Sequence, residues 1–128
     1  MDDQYVACQL EAEPGQPYGR SLSVEARVVS ANHAALVTVD AGFKAFSTDA
    51  DPPQVLGGAG EGARFAFMGD EHGAVIAPGL GETLKPGDLV TLAVPHCDPT
   101  VNLYESYHVV RGDALVDIWP VSARGRSR

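Results

Sequence analysis

Within residues 94–104 an imidazole, a thiol and a carboxylate stand in consecutive positions, His96, Cys97 and Asp98, bracketed by Pro95 and Pro99. Proline lacks a backbone N–H and disfavours the helical region for the residue before it, so the spacing predicts an extended backbone through Asp98. Side chains alternate along an extended segment. His96 and Asp98 then project the same way, with Cα atoms about 6.5–7 Å apart, while Cys97 points to the opposite side. An imidazole and a carboxylate so placed can converge on one divalent cation at about 2.0–2.2 Å. Two protein ligands make an open site with positions left for water or substrate, as a catalytic metal needs; a structural metal takes four. H-x-D is also short and common, and the simpler reading has His96 and Asp98 hydrogen-bonding each other to cap a loop. Cys97 reads as a small buried hydrophobe.

Other chemistry-bearing residues are weaker candidates. The segment GDEHG (69–73) frames three polar residues with glycines, so the backbone can turn sharply and present Asp70, Glu71 and His72 at a tip. Lys44 invites comparison with a nucleophilic lysine, against which stands a plain surface or interface lysine. No serine lies in a G-x-S-x-G elbow, and GGAGEG (57–62) lacks the Lys-Ser/Thr that completes a phosphate loop.

The elements that must position these groups read as strands. SLSVEARVVS (21–30) alternates, with Leu22, Val24, Ala26 and Val28 on one face, and pairs across ANHA with ALVTVD (35–40) in a hairpin. Residues 41–63 are rich in Gly, Pro and Asp without period and read as a long surface excursion. RFAFMG (64–69) and HGAVIA (72–77) form strand, turn, strand. LKPGDLVTLAV (84–94) opens on a Pro86–Gly87 turn and runs as a strand into the His96 segment. ESYHVVR (105–111) and ALVDIW (114–119) close the chain as a hairpin around Gly112–Asp113, with His108 structural and Trp119 packing in the core. No helical period exceeds two turns, so the fold class is all-β, an antiparallel barrel or sandwich of about 7–9 strands.

The 128 residues hold 45% hydrophobic and 20% charged residues, an ordinary globular balance with room for one domain. A formal net charge of −8 argues against a nucleic-acid partner, which asks for a basic stripe; the basic RGRSR (124–128) reads as a solvated end. No run approaches the roughly 18 apolar residues of a membrane span. Cys8 and Cys97 are read as reduced thiols of a cytoplasmic protein, without a leader.

PHCDPTVNLYESYHVV (95–110) resembles the metal-binding signature of the D-threonine aldolase and D-serine dehydratase-like enzymes, metal-activated pyridoxal phosphate enzymes of the alanine racemase fold type. MDDQY (1–5), VEARVVS (24–30), VDAGFKAFSTD (39–49), GDEHG, LKPGD (84–88) and WPVSARG (119–125) agree with it in order. The resemblance implies that His96 and Asp98 are the metal ligands. Its H-x-D pair is similar to the aldolase branch, which uses a divalent ion such as manganese; the dehydratase branch binds zinc through H-x-C. It further implies that Asp70 and His72 face the substrate pocket, that the substrate is a small D-amino acid, and that the cofactor lysine belongs to a large barrel absent from this chain. Pyridoxal phosphate is therefore expected only with that barrel. The expected organisation is a connector over 1–20, a β-domain over 21–125 and a tail over 126–128. Three hypotheses follow: a domain working with a barrel, in a longer precursor, as a separate chain or within a homodimer; a non-catalytic metal-binding or interaction remnant; or a degenerate fragment.

Overall fold

A computed structural model describes residues 20–126; Cys8 and nearly all of the expected connector lie outside the described residues, as do the last two residues of the tail. The alternation read over 21–30 becomes β1 (Ser23–His33), whose Ala26 and Val28 are buried while Ser23, Glu25 and Arg27 face solvent. Beyond it come β2 (Leu36–Val39), β3 (Val55–Gly57), β4 (Arg64–Phe67), β5 (Gly73–Ile76), the single turn α1 (Leu80–Thr83), β6 (Leu89–Ala93), the short helix α2 (Cys97–Val101), β7 (Ser106–Arg111) and β8 (Ala114–Pro120). Eight strands and two very short helices agree with the all-β expectation.

Six strands form one antiparallel sheet in the order β3-β6-β1-β2-β5-β4. β1 is long enough to serve two ladders. Its first half pairs with β6, from Ser23 opposite Ala93 to Arg27 opposite Leu89, and its second half pairs with β2. Register shifts at Val28/Ser30 and Ser30/His33 interrupt the second ladder. Bulges of this kind bend a strand and sharpen its twist. The sheet curls into a half-barrel whose two edges meet at one bridge, Gln54 opposite Arg64.

The concave face holds the core: Val28, Val37, Val39, Val75, Val90 and Leu92 from the strands, with Phe46 from the loop after β2. Phe46 and Phe65 meet edge to face with centroids 5.9 Å apart, and Phe65 meets Phe67 in the same way at 5.1 Å. The stretch 41–63 is therefore less of a surface excursion than its composition predicts. Ala41 and Phe46 are buried, and Val55–Gly57 joins the sheet beside β6. The turn before β6 forms as read. Asp88 N–H donates to Lys85 O at 3.0 Å and Gly87 takes φ 100°, the left-handed value a type II turn requires at that position.

β7 and β8 stand apart as a two-stranded sheet. Here the expectation for Trp119 is corrected. Its side chain is 54% exposed, because β8 pairs with β7 alone and every residue of it faces solvent; the indole N–H donates to Asp117 Oδ2 at 2.8 Å. Val110, Leu115, Val116 and Ile118 are exposed alongside it, and His108 is exposed in β7. Among the described residues no helix is long and apolar enough to cross a membrane.

Candidate metal centre

The site is built around the loop 41–49, which links two other segments. On one side Gly42 is buried against the 69–72 tip so closely that a Cβ there would lie 2.5 Å from His72 N and 2.7 Å from Asp70 C. Only glycine allows two backbones to approach in this way. The contact is zipped by Phe43 N–H donating to Gly69 O at 3.0 Å and Lys44 N–H donating to Asp70 O at 2.8 Å. On the other side the loop meets the 96–104 segment. Ser47 N–H donates to Thr100 Oγ1 at 3.1 Å, the Thr100 hydroxyl donates to Ser47 Oγ at 3.1 Å, and Ser47 Oγ donates to His96 O at 3.4 Å. Tyr104 O–H donates to Ala45 O at 3.0 Å. Burial of Tyr104 pushes its phenol above the ordinary range, so it stays a neutral donor. Thr100 is 1% exposed with both functions of its hydroxyl used, which makes this joint rigid.

The backbone through the H-x-D pair differs from the extended run that the prolines predict. His96 is extended, at φ −142° and ψ 110°, but Cys97–Val101 turn as helix α2 with Asp98 in the first turn. Pro99 is tolerated there because the first N–H groups of a helix have no intrahelical partner to lose. Strand alternation therefore no longer describes how the two side chains are disposed. Asp98 is exposed, and Cys97 is half-buried.

Sequence reading missed Asp49. Its Oδ2 lies 2.6 Å from His96 Nδ1. An ionised carboxylate offers only acceptors, so Nδ1 carries the proton and donates. That hydrogen bond is the main reason the Asp49 carboxyl sits below its usual range, with a second contribution from Ser47. The available signal was the acid that ends VDAGFKAFSTD, 47 residues before His96.

Asp70 and His72 lie on an exposed tip. Glu71 pairs with Lys44 at 2.7 Å, and this hydrogen bond, with the attraction between the charges, raises the lysine above its ordinary value and lowers the glutamate. Lys44 is thus a protonated surface lysine with a 67% exposed side chain.

The donor chemistry can be tested against the groups the resemblance implies. An imidazole with a carboxylate on one nitrogen is the arrangement that fixes a metal-binding histidine, and a carboxylate two residues on suits a divalent ion. Among the described residues no group of three or more His, Cys, Asp or Glu could hold a metal; a centre with fewer protein ligands leaves positions for water or substrate. Neither lysine of the chain is placed as the buried Schiff-base lysine of pyridoxal phosphate. The chain has two lysines, Lys44 and Lys85, and the first is solvent-exposed and ion-paired while the second is exposed in the turn before β6.

Fold and sequence together define the class. Residues 21–110 match the family described as putative serine dehydratase domain, and the chain belongs to that family. It is 38% identical over 129 residues to a D-threonine aldolase of Arthrobacter sp., a match that covers all of this chain and 33% of that enzyme. The crystal structure of D-threonine aldolase from Filomicrobium marinum superposes with a TM-score of 0.81 at 30% identity, covering 98% of this chain and 34% of that one. An uncharacterized protein of Mycobacterium bovis is 30% identical over 130 residues, covering 94% of this chain and 96% of that protein. The chain therefore spans about a third of the length of the two aldolases, and it is a domain related to lyases.

Proposed function

We propose that this chain is the metal-binding domain of a D-threonine aldolase-like lyase, which cleaves D-β-hydroxy amino acids between Cα and Cβ to glycine and an aldehyde. The observation that carries the reading is the braced His96, held by Asp49 on Nδ1 and followed two residues on by Asp98, in a chain aligned from end to end with such an aldolase. His96 and Asp98 are the metal ligands of this reading, with manganese the ion and zinc the alternative. A bound divalent ion would act as a Lewis acid on the substrate's β-hydroxyl and lower its pKa. The chain's own contribution is orientation. The loop 41–49 holds the imidazole, and its other end sets the tip that carries Asp70 and His72 near the substrate.

The pyridoxal phosphate lysine comes from a barrel of about 250 residues, in the same polypeptide or as a separate chain. The length of the aldolases beyond the matched third supports a further domain of that kind. The exposed apolar side chains of β7 and β8 are the surface such a barrel would cover. The Mycobacterium bovis relative, of about this chain's own length, favours a second reading, a non-catalytic metal-binding module. A dehydratase-type elimination would use the same ion; Asp98 in place of cysteine favours the aldolase. The net charge of −8 argues against a nucleic-acid partner.

Replacing the matched third of the Arthrobacter aldolase by this chain, or mixing this chain with the remaining two thirds, tests the reading. Manganese-dependent release of glycine and acetaldehyde from D-threonine, lost with His96→Ala, is expected. Assembly of the two parts without any cleavage would leave the remnant reading.

A further inference from the structure

We infer that Asp49 is the positioning residue of this site: its carboxylate holds the His96 ring in the Nδ1–H form and so assigns metal coordination to Nε2. The inference rests on the reading of His96 as a ligand and adds which nitrogen coordinates and what selects it. A neutral imidazole carries its proton on either nitrogen, and the hydrogen bond made by one decides the role of the other. At 2.6 Å the contact is short even for a charge-assisted bond.

Asp49 is 47 residues from His96 in sequence, and the fold brings it there by a specific route. Ser47, two residues before it, is fixed at three points: its N–H and hydroxyl on Thr100, and its hydroxyl on the His96 carbonyl. The serine thus registers the loop against the backbone of the very residue whose side chain Asp49 binds. Thr100, 1% exposed, anchors that joint inside the domain. The His96 side chain is 20% exposed and that of Asp49 51%, so removing the carboxylate leaves the core untouched. Asp49 acts through His96, and loss of such a partner weakens metal affinity on the order of 10–100-fold.

The test uses the full chain labelled with nitrogen-15, with His96→Gln to assign the ring signals and manganese chloride as the probe. Long-range proton–nitrogen correlation reads the tautomer of His96 without metal. The wild type should show Nδ1–H; Asp49→Ala should shift the ring toward Nε2–H, with Asp49→Asn, which keeps a carbonyl acceptor, between the two. In the manganese titration, broadening of the His96 ring signal should need on the order of 10–100-fold more metal in Asp49→Ala, and an intermediate excess in Asp49→Asn. An unchanged tautomer in Asp49→Ala, or an unchanged affinity, overturns the positioning role. A tautomer that changes while manganese leaves the wild-type ring unbroadened overturns the metal assignment, and with it the reading of His96 as a ligand.

Discussion

Gly42→Ala is the sharpest test of how the loop 41–49 is held. The added Cβ would lie 2.5 Å from His72 N and 2.7 Å from Asp70 C, and closer still to Gly69 O. All three are backbone atoms, so no side chain can swing aside, and the two loops must part. Parting them breaks the hydrogen bonds from Phe43 N–H to Gly69 O and from Lys44 N–H to Asp70 O. Each is worth about 1 kcal/mol net, and overpacking a close contact adds about 1–3 kcal/mol. The Lys44–Glu71 pair is exposed and contributes little either way. The sum is about 3–5 kcal/mol, a large share of the roughly 5–15 kcal/mol available to a domain. Urea denaturation followed by far-ultraviolet circular dichroism measures it; Trp119 fluorescence is a poor probe because that side chain lies on the exposed ribbon. Gly60→Ala is the control, since nothing lies within 4 Å of its Cβ position, and its change should stay within about 0.5 kcal/mol. A loss below about 1 kcal/mol in Gly42→Ala would refute the close approach of the two loops.

Other predictions follow from single contacts. Leu92, 0% exposed in β6, should lose about 2–5 kcal/mol on Leu92→Ala in the same denaturation experiment. Thr100→Val keeps the volume but removes both hydrogen bonds to Ser47; leaving the half-buried Ser47 N–H without its acceptor should cost about 1–3 kcal/mol by the same assay. Trp119→Ser, at a 54% exposed position, should change stability by less than about 1 kcal/mol, and a larger loss would contradict the exposed ribbon. The depressed Asp49 carboxyl makes a contribution present above the unfolded value of about 3.9 and lost as pH falls through the lower folded value. Wild type and Asp49→Asn should therefore differ in stability at neutral pH and converge in acid unfolding below about pH 4.

What was legible in the sequence was whatever a short window decides. Leu22, Val24, Ala26 and Val28 alternate and point inward because one face of β1 is wet. Pro86–Gly87 and Gly112–Asp113 mark turns because their backbone demands are local. The misreadings have tertiary causes. Val55–Gly57 becomes a strand in a glycine-rich stretch because β6 offers it an edge to pair with. Pro99 predicts an extended Asp98, yet a first helical turn accommodates the proline equally well. Trp119 is apolar wherever it lies, and only the detachment of β7 and β8 from the main sheet puts it outside. Asp49 is silent in sequence because its meaning depends on a partner 47 residues away.

The proposed function requires a divalent ion held by His96 and Asp98. Equilibrium dialysis against manganese chloride, followed by metal analysis of the protein by plasma mass spectrometry, compares the wild-type chain with the His96→Ala, Asp98→Ala double variant. Metal should be retained by the wild type and lost from the variant while circular dichroism stays the same. Equal metal in the two proteins would contradict the proposed function.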